Sequence, residues 1–330
     1  MIKNLAITVP TIGRISIGHI EEAGDRRLPK KDNFFRITTQ FKQGGDWVEH
    51  PVTASLRKNP DEKLTSIPVR LMFDKPELNF RYRYELFDKG TKRQLCVVDG
   101  EKAKRLTAEG KIQDVDCPGA DRCAFGAKLG CKIFGRLYVQ IEGQKNDLAT
   151  FIHRTRGFNA TKALQASING LAQGFPGLLA GMPLTLKLRG KSSSLSHGSV
   201  FFYADLELRD GATLAEAAKA AKDRKEELEA TGFKRDKFEE AYLQGLQASP
   251  FDETSEEADE LEEWFLEEEP GGEGSSRKEG AGQASGRSER RAKSHAIIEG
   301  NAGATGLGAL RRSVTHQPPG AASEAAPATA

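Results

Sequence analysis

Apolar and polar positions alternate along much of residues 33–210, which is the period of a β-strand with one buried face. Two alternating runs flank a turn-like segment at residues 74–77 and predict a first hairpin, and two later runs predict a second hairpin. The apolar positions of the first are Ile67, Val69, Leu71 and Phe73, then Leu78, Phe80, Tyr82, Tyr84 and Leu86. Those of the second are Leu184, Leu186 and Leu188, then Val200, Phe202, Ala204, Leu206 and Leu208. Shorter strands are predicted at residues 137–141 and 150–154.

One helix is predicted to begin near Asn159 and to end before Pro176. Its apolar residues recur at helical spacings on one face, as in Leu164, Ile168, Leu171 and Phe175. Residues 213–247 are rich in Ala, Glu and Lys, and they predict two more helices separated at Thr231-Gly232. The expected fold class is α+β, with antiparallel strands and one main helix in a body at residues 1–210, followed by a helical extension at residues 211–250.

The charges are divided unevenly along the 330-residue chain, although its formal net charge is only +2. Residues 1–210 hold 34 Lys and Arg against 23 Asp and Glu, whereas residues 251–269 hold 11 acids and no base. A basic body with an acidic appendage suits an anionic partner. Beyond the acids the chain is rich in Gly, Ser, Ala and Arg, so residues 251–330 are predicted to be a disordered tail.

The sequence carries no membrane-span or enzyme signature. No run of 18 apolar residues is present, and the N-terminus lacks the pattern of a signal peptide, so we expect a cytoplasmic protein with reduced cysteines. No phosphate-binding loop, zinc-protease or serine-hydrolase motif occurs, and His153 reads as a polar strand position. We therefore expect no catalytic residue and identify no small-molecule substrate.

All four cysteines fall within residues 96–131, with spacings C-x20-C-x5-C-x7-C. Four thiolates suit the tetrahedral preference of Zn²⁺, and a closed site of this kind is structural, not catalytic. The sequence thus predicts a zinc knuckle with one structural zinc ion; four unrelated thiols and an iron–sulfur cluster are the alternatives. The predicted ligands are Cys96, Cys117, Cys123 and Cys131.

Residues 148–204 contain no Asp or Glu but keep their bases. A buried core segment would also lack acids, but it would lack bases as well, so the window favours contact with nucleic-acid phosphates. Aromatic residues on the second hairpin are candidates for base stacking, unless another element buries them. The predicted nucleic-acid-binding residues are Arg154, Arg156, Lys162, Lys187, Arg189, Lys191, Phe201 and Tyr203.

The acidic part of the tail contains four large apolar residues, Leu261, Trp264, Phe265 and Leu266. In a helix, Leu261, Trp264 and Phe265 would share one face, with carboxylates on the other. Three roles stay open: a partner-binding anchor, a nucleic-acid mimic that folds onto the basic body, and a solvated linker.

Two segments flank the predicted helix, the run Phe-Ile-His-Arg-Thr-Arg-Gly-Phe-Asn at residues 151–159 and the run Leu-Ala-Gly-Met-Pro-Leu-Thr-Leu at residues 179–186. Together they resemble the recombination directionality factor-like family of phages and integrative elements. The resemblance covers roughly residues 65–210 and includes an upstream cysteine cluster, in which residues 96–100 look like a degraded version of the family's turn. The long C-terminus has no counterpart in it.

The resemblance implies a non-catalytic accessory protein of a phage or mobile element that acts in DNA recombination by binding a serine integrase and switching it from integration to excision. Its partners would be the integrase, or another recombination protein, and DNA. The alternatives are a single-stranded nucleic-acid-binding accessory module and a metal-dependent hydrolase.

Overall fold

The computed structural model describes residues 6–23, 26–98, 101–192 and 200–252, all of which belong to one compact unit. In this part of the chain the strands are β1 (Thr11–Ser16), β2 (His19–Ala23), β3 (Arg26–Lys30), β4 (Arg36–Gln43), β5 (Asp46–Glu49), β6 (Ser66–Arg70), β7 (Phe80–Phe87), β8 (Gln94–Val98), β9 (Lys102–Leu106), β10 (Ile112–Asp116), β11 (Lys132–Ile141), β12 (Thr150–Thr155), β13 (Leu184–Ser192) and β14 (Val200–Leu208). The helices are α1 (Val52–Leu56), α2 (Pro76–Asn79), α3 (Ala124–Leu129), α4 (Phe158–Gly174), α5 (Leu214–Ala230) and α6 (Arg235–Gln247).

Twelve of the described strands form one sheet, and β2 and β3 form a separate two-stranded ribbon. The main path through the sheet runs β10-β9-β8-β7-β11-β12-β1-β4-β5. A branch starts at the C-terminal end of β11, where β6 pairs with β11, β13 pairs with β6, and β14 pairs with β13. Every pairing between the described strands of this sheet is antiparallel except that of β1 with β12. The α+β class with a mainly antiparallel sheet is confirmed.

Helices cover both faces of the sheet because both faces of its central strands are apolar. Leu137 and Val139 of β11 face the main core, where Leu164 of α4 and Ala217 of α5 are also fully buried. Tyr138, which points the other way, lies in a second cluster that α6 covers with four half-buried residues. Those residues are Phe238, Tyr242, Leu243 and Leu246. The helices predicted at residues 213–247 are confirmed, and they pack onto the body.

The second predicted hairpin is confirmed, because β13 and β14 pair in antiparallel register from Leu184 opposite Leu208 to Ser192 opposite Val200. The predicted first hairpin is wrong. Its two strands exist as β6 and β7, but β6 pairs with β11 and β13, and β7 pairs with β8 and β11.

A buried asparagine explains why β6 and β7 do not pair. Asn79 ends the short helix α2 and is fully buried. Its side chain accepts a hydrogen bond from the Phe73 N–H at 3.1 Å and donates to the Phe73 and Lys75 carbonyls at 2.8 and 3.1 Å. These bonds hold residues 73–79 as a wide helical loop, so the connection is not a tight β-turn, and it leads β7 to a different part of the sheet.

A buried ion pair connects β7 to the neighbouring strand β11. The Glu85 carboxylate is fully buried and accepts two hydrogen bonds from Arg136, at 2.7 and 2.8 Å, and one from Arg83 at 2.7 Å. Gln94 donates a fourth at 2.8 Å. Burial alone would raise the pKa of Glu85. The charges of Arg136 and Arg83 lower it by more than burial raises it, so the pKa lies below its usual value.

The last described residue of the chain completes this network. The side chain of Asp252 is only 1% exposed and forms ion pairs with Arg81 and Arg83. Its backbone N–H donates to the Gln94 side-chain oxygen at 3.1 Å. Burial raises the pKa of Asp252, but Arg136, Arg83 and Arg81 lower it well below its usual range. Phe251 and Asp252 are therefore part of the folded body, and the rest of the predicted disordered tail, residues 253–330, lies outside the described residues.

None of the described helices combines the length and the apolar character that crossing a bilayer requires.

Candidate functional site

The strongest candidate for a nucleic-acid interface is a cleft of about 360 Å³ that we call the basic cleft. It lies where the end of β12 leads into α4, opposite the β14 strand, and the β1–β2 connection and the start of β11 complete its wall. Arg154, Arg156, Phe201 and Tyr203, all predicted from the sequence, line this one cleft.

The lining of the basic cleft is strongly positive. Two arginines and three lysines line it, and no Asp or Glu does so in the described part of the chain. A concave surface with one sign of charge focuses the field and attracts phosphates. The cations are Lys30, Lys31, Lys132, Arg154 and Arg156. Of these, Lys30 also pairs with Glu21 at 3.0 Å, outside the lining of the cleft.

The sequence interpretation missed the three lysines because the chain brings them from distant segments. Lys30 is the last residue of β3, Lys31 follows it, and Lys132 begins β11. The acid-free window of residues 148–204 located only the part of the cleft that β12, α4 and β14 contribute. No local pattern links the remaining lysines to it.

The N-terminus of α4 opens into the same cleft. The N-cap residue is Gly157, which has no side chain to cap the helix, and the first turn contains no acid. Asn159 of this turn lines the cleft and accepts a hydrogen bond from Lys191 at 3.3 Å. Uncapped backbone N–H groups at the positive end of a helix dipole favour an anion, so the backbone and the side chains have the same preference here.

His153 lies at the inner wall of the basic cleft and is 2% exposed. Its Nδ1 donates to the Ile15 carbonyl oxygen at 2.9 Å, which holds β12 against β1. Burial lowers the pKa of His153, although the Ile15 carbonyl opposes this effect. The ring is therefore neutral at pH 7, in keeping with a polar strand position.

Two aromatic side chains of β14, Phe201 and Tyr203, are half-buried and keep part of their surface in the basic cleft. They face away from the core side of β14, where Ala204 and Leu206 are buried. The alternative that another element buries them completely does not apply. Aromatic surface next to cations is the combination that stacks bases and contacts phosphates in single-strand-binding proteins.

The remaining predicted cations lie outside the basic cleft. Lys187 pairs with Glu207 at 3.2 Å and with Asp210 at 3.6 Å. Arg189 pairs with Asp205 at 3.3 Å and also with Glu207. These carboxylates follow the acid-free window directly and neutralise both cations across the hairpin. Lys162 is exposed on α4.

The cysteines are brought together around one small apolar cluster. Cys96 lies on β8, Cys117 follows β10, Cys123 is the N-cap of α3 and Cys131 precedes β11. Cys96 is buried with Leu86, Val98 and Ala103, and Cys117, Cys131 and Phe125 pack against these residues. All four thiols are free.

The backbone of α3 is fitted closely around two of the thiols. The Gly126 N–H donates to Cys123 Sγ at 3.3 Å, and the Arg105 guanidinium donates to the same sulfur at 3.7 Å. A Cβ added at Gly126 would lie 2.8 Å from the Cβ of Cys131, so only glycine fits between the two cysteines. Donors aimed at sulfur stabilise a thiolate.

The thiols affect one another electrostatically. Burial, together with the nearby Cys96, Cys117 and Cys123, raises the pKa of Cys131 to about 12. Burial also raises the pKa of Cys96, against the opposing effect of Arg105. Four thiolates at these positions would need a compensating positive charge, which a divalent cation would supply. Within the described residues, however, the side chains do not form a group of three or more His, Cys, Asp or Glu ligands arranged to hold a metal ion.

The predicted partner-binding residues, Leu261, Trp264, Phe265 and Leu266, lie outside the described residues.

Comparison with protein families gives a match that spans the body of the chain. The model of the Gp3-like family, described as recombination directionality factor-like, matches residues 12–209. This range contains the basic cleft, the four cysteines and both segments that carry the resemblance. No match was found among the curated proteins or among the solved structures. The match covers more than half of the 330 residues, and the chain therefore belongs to the Gp3-like, recombination directionality factor-like family.

Proposed function

We propose that this protein is a non-enzymatic accessory factor of a phage or mobile element that binds a serine integrase and contacts DNA through the basic cleft. Family membership supports the accessory role in recombination. The observation that carries the DNA contact is the basic cleft itself, in which five cations and an uncapped helix N-terminus face one concave surface without an acid among its described lining residues.

The basic cleft suits the DNA backbone better than base edges. Its cations come from three separate segments, at the end of β3, the start of β11 and the end of β12, and backbone N–H groups at the start of α4 add a directional donor. Contacts of this kind fix the position of a protein on DNA but carry little sequence information. Sequence choice would then come from the integrase, and the accessory factor would bind the integrase–DNA complex more tightly than free DNA.

We also propose that Cys96, Cys117, Cys123 and Cys131 hold one structural zinc ion. The glycine between two cysteines and the donors directed at Cys123 Sγ support this assignment. A closed set of four thiolates leaves no position for a reactive water, so the ion would stabilise the segment that joins β8 to β11 and would take no part in chemistry.

The DNA contact is tested by an electrophoretic shift assay in which Arg154 and Arg156 are both changed to Glu. Each phosphate contact raises the logarithm of the affinity by about 0.9 for every tenfold decrease in salt. At 0.1 M salt, which is tenfold below 1 M, the loss of one contact therefore weakens binding by about tenfold. The double variant should therefore bind about 100-fold more weakly and show a smaller salt slope.

The matched control is the change of Lys58 and Lys89 to Glu, since both are exposed and lie outside the basic cleft. It makes the same change in net charge. Equal weakening by the two double variants would show that only the overall charge matters, and unchanged binding by the cleft variant would remove the cleft from the DNA interface.

A single-stranded nucleic-acid-binding module is the second candidate, and Phe201 and Tyr203 favour it because they place aromatic surface beside Arg154 and Arg156. Stacking contributes about 1–3 kcal/mol per base. Changing both aromatics to Leu should weaken binding to single-stranded DNA and leave duplex binding unchanged if this candidate is correct. Equal effects on the two probes would favour the duplex-binding accessory role.

The integrase contact is tested by affinity capture with the serine integrase of the same element. The accessory role predicts capture of the integrase without DNA, and tighter capture when its DNA site is added. A single-strand-binding module predicts strong binding to free single-stranded DNA and no capture of the integrase.

A further inference from the structure

A second cleft, which we call the α6 groove, lies on another part of the body and has a volume of about 990 Å³. The start of β7, the strands β8 to β10, one side of α4 and the C-terminal part of α6 surround it. Its apolar lining includes half-buried Ile112, Leu243 and Leu246 and the exposed ring of Tyr82. The function proposed above does not use this groove.

The rim of the α6 groove is basic on its sheet side. Lys102 and Lys104 are exposed on β9, and Lys104 also pairs with the exposed Asp114 of β10. Four cations and two carboxylates line the groove in the described part of the chain, and two of these cations, Arg81 and Arg83, are already paired with Asp252. An apolar floor with a positive rim fits an acidic segment that has one apolar face.

The chain itself leads into this groove. Ser249 and Pro250 line it, and two residues later Asp252 is fixed by its buried ion pairs with Arg81 and Arg83. The next residues, 253–269, carry ten acids and no base, together with Leu261, Trp264, Phe265 and Leu266. We call residues 253–269 the acidic segment. The chain thus delivers a segment of the complementary chemistry to the edge of the groove.

We propose that the acidic segment binds the α6 groove of its own chain, with Trp264 and Phe265 against the apolar floor and the carboxylates towards Lys102 and Lys104. A partner that uses the groove then has to displace the segment. The proposal concerns a surface separate from the basic cleft and does not depend on DNA binding.

The distances and the tether favour this occupant. Twelve residues separate Asp252 from Trp264, which reach about 18 Å as a helix and at most about 40 Å when extended. Either length is enough to place Trp264 in a groove that begins beside Asp252. A short tether also gives an effective concentration of about 1 mM, so even weak affinity keeps the segment bound.

Tryptophan fluorescence of the full chain tests the proposal, because the protein has only two tryptophans, Trp47 and Trp264. The change of Trp47 to Phe leaves Trp264 as the single probe. We expect Trp264 in the full chain to emit at a shorter wavelength than in a free peptide of residues 253–269. We also expect its quenching constant with acrylamide to be several-fold lower than that of the peptide. Changing Lys102 and Lys104 to Glu in this background should return both values to those of the peptide.

The matched control is again Lys58 and Lys89 changed to Glu, which alters the net charge equally and should leave Trp264 protected. Protection in the full chain that is lost only in the Lys102 and Lys104 variant, and that is independent of protein concentration, supports the proposal. Quenching equal to that of the free peptide overturns it. Protection that is lost on dilution would identify a second copy of the chain as the occupant. Protection that survives the Lys102 and Lys104 variant would place the segment on another surface. Either result also overturns the proposal.

Discussion

Replacing Asp252 by Asn is expected to destabilise the whole body, although the residue lies at the end of the described chain. The change keeps the shape of the side chain but removes the charge that Arg81 and Arg83 pair with, and the replaced side chain is only 1% exposed. Removing one partner of a buried ion pair typically costs about 3–5 kcal/mol, because the remaining charge stays buried without compensation. Arg83 keeps its bond to Glu85, so we expect the free energy of unfolding to fall by about 3 kcal/mol.

Urea denaturation at pH 7 measures this loss as a change in the free energy of unfolding. The control is Asp210 changed to Asn, because the Asp210 side chain is 75% exposed and pairs with Lys187 at 3.6 Å. Such a surface pair contributes less than about 1 kcal/mol. The reasoning fails if the Asp252 variant is as stable as the Asp210 variant.

The same variant has a defined dependence on pH. The pKa of Asp252 is below its usual value in the folded protein, so its charge stabilises the fold above the unfolded-state pKa of about 3.9, and this contribution is lost as the pH falls. The difference in unfolding free energy between wild type and the Asn variant should be complete at pH 7 and should shrink below about pH 4. A difference that stays constant down to pH 3 would refute the role of the charge.

Two further variants test the site assignments. Changing Cys123 to Ser should release the bound zinc and lower the melting temperature, because structural zinc contributes folding free energy. The control, Asp121 changed to Ser on the same loop, should keep both the zinc and the melting temperature. Metal analysis that finds the zinc content unchanged in the Cys123 variant would contradict the proposed ligand set. Changing Lys187 and Arg189 to Ala should weaken DNA binding less than changing Arg154 and Arg156 to Ala. The reason is that Lys187 and Arg189 are already paired with Glu207 and Asp205. Equal weakening by the two double variants in a shift assay would instead place the interface on the β13–β14 hairpin.

Local patterns predicted those elements that local physics determines. The apolar stripe of α4 and the alternation of the β13–β14 hairpin each fit within one segment, and both are confirmed. The environment of the polar face of β7 depends instead on residues that are distant in the sequence. Glu85 and Arg83 lie on a face that the sequence suggested to be polar, yet Arg136 and Asp252 cover it, from 51 and 169 residues away respectively.

The candidate site divides in the same way. The sequence predicts Arg154, Arg156, Phe201 and Tyr203 because they fall in one acid-free window, and all four line the basic cleft. Lys187 and Arg189 fall in the same window, but the pairing of β13 with β14 brings them within ion-pair distance of Glu207 and Asp205, which lie outside the window. Composition along a sequence shows which residues have no acidic neighbours along the chain, but it does not show which acids lie across a strand.

The recombination activity of the cognate serine integrase, measured with and without this protein, tests the accessory role most directly. Purified integrase is supplied with DNA carrying either the two original attachment sites or the two hybrid sites that flank an integrated element. The account predicts that adding the protein starts recombination between the hybrid sites and reduces recombination between the original pair. Unchanged rates on both substrates with an excess of folded protein would contradict it.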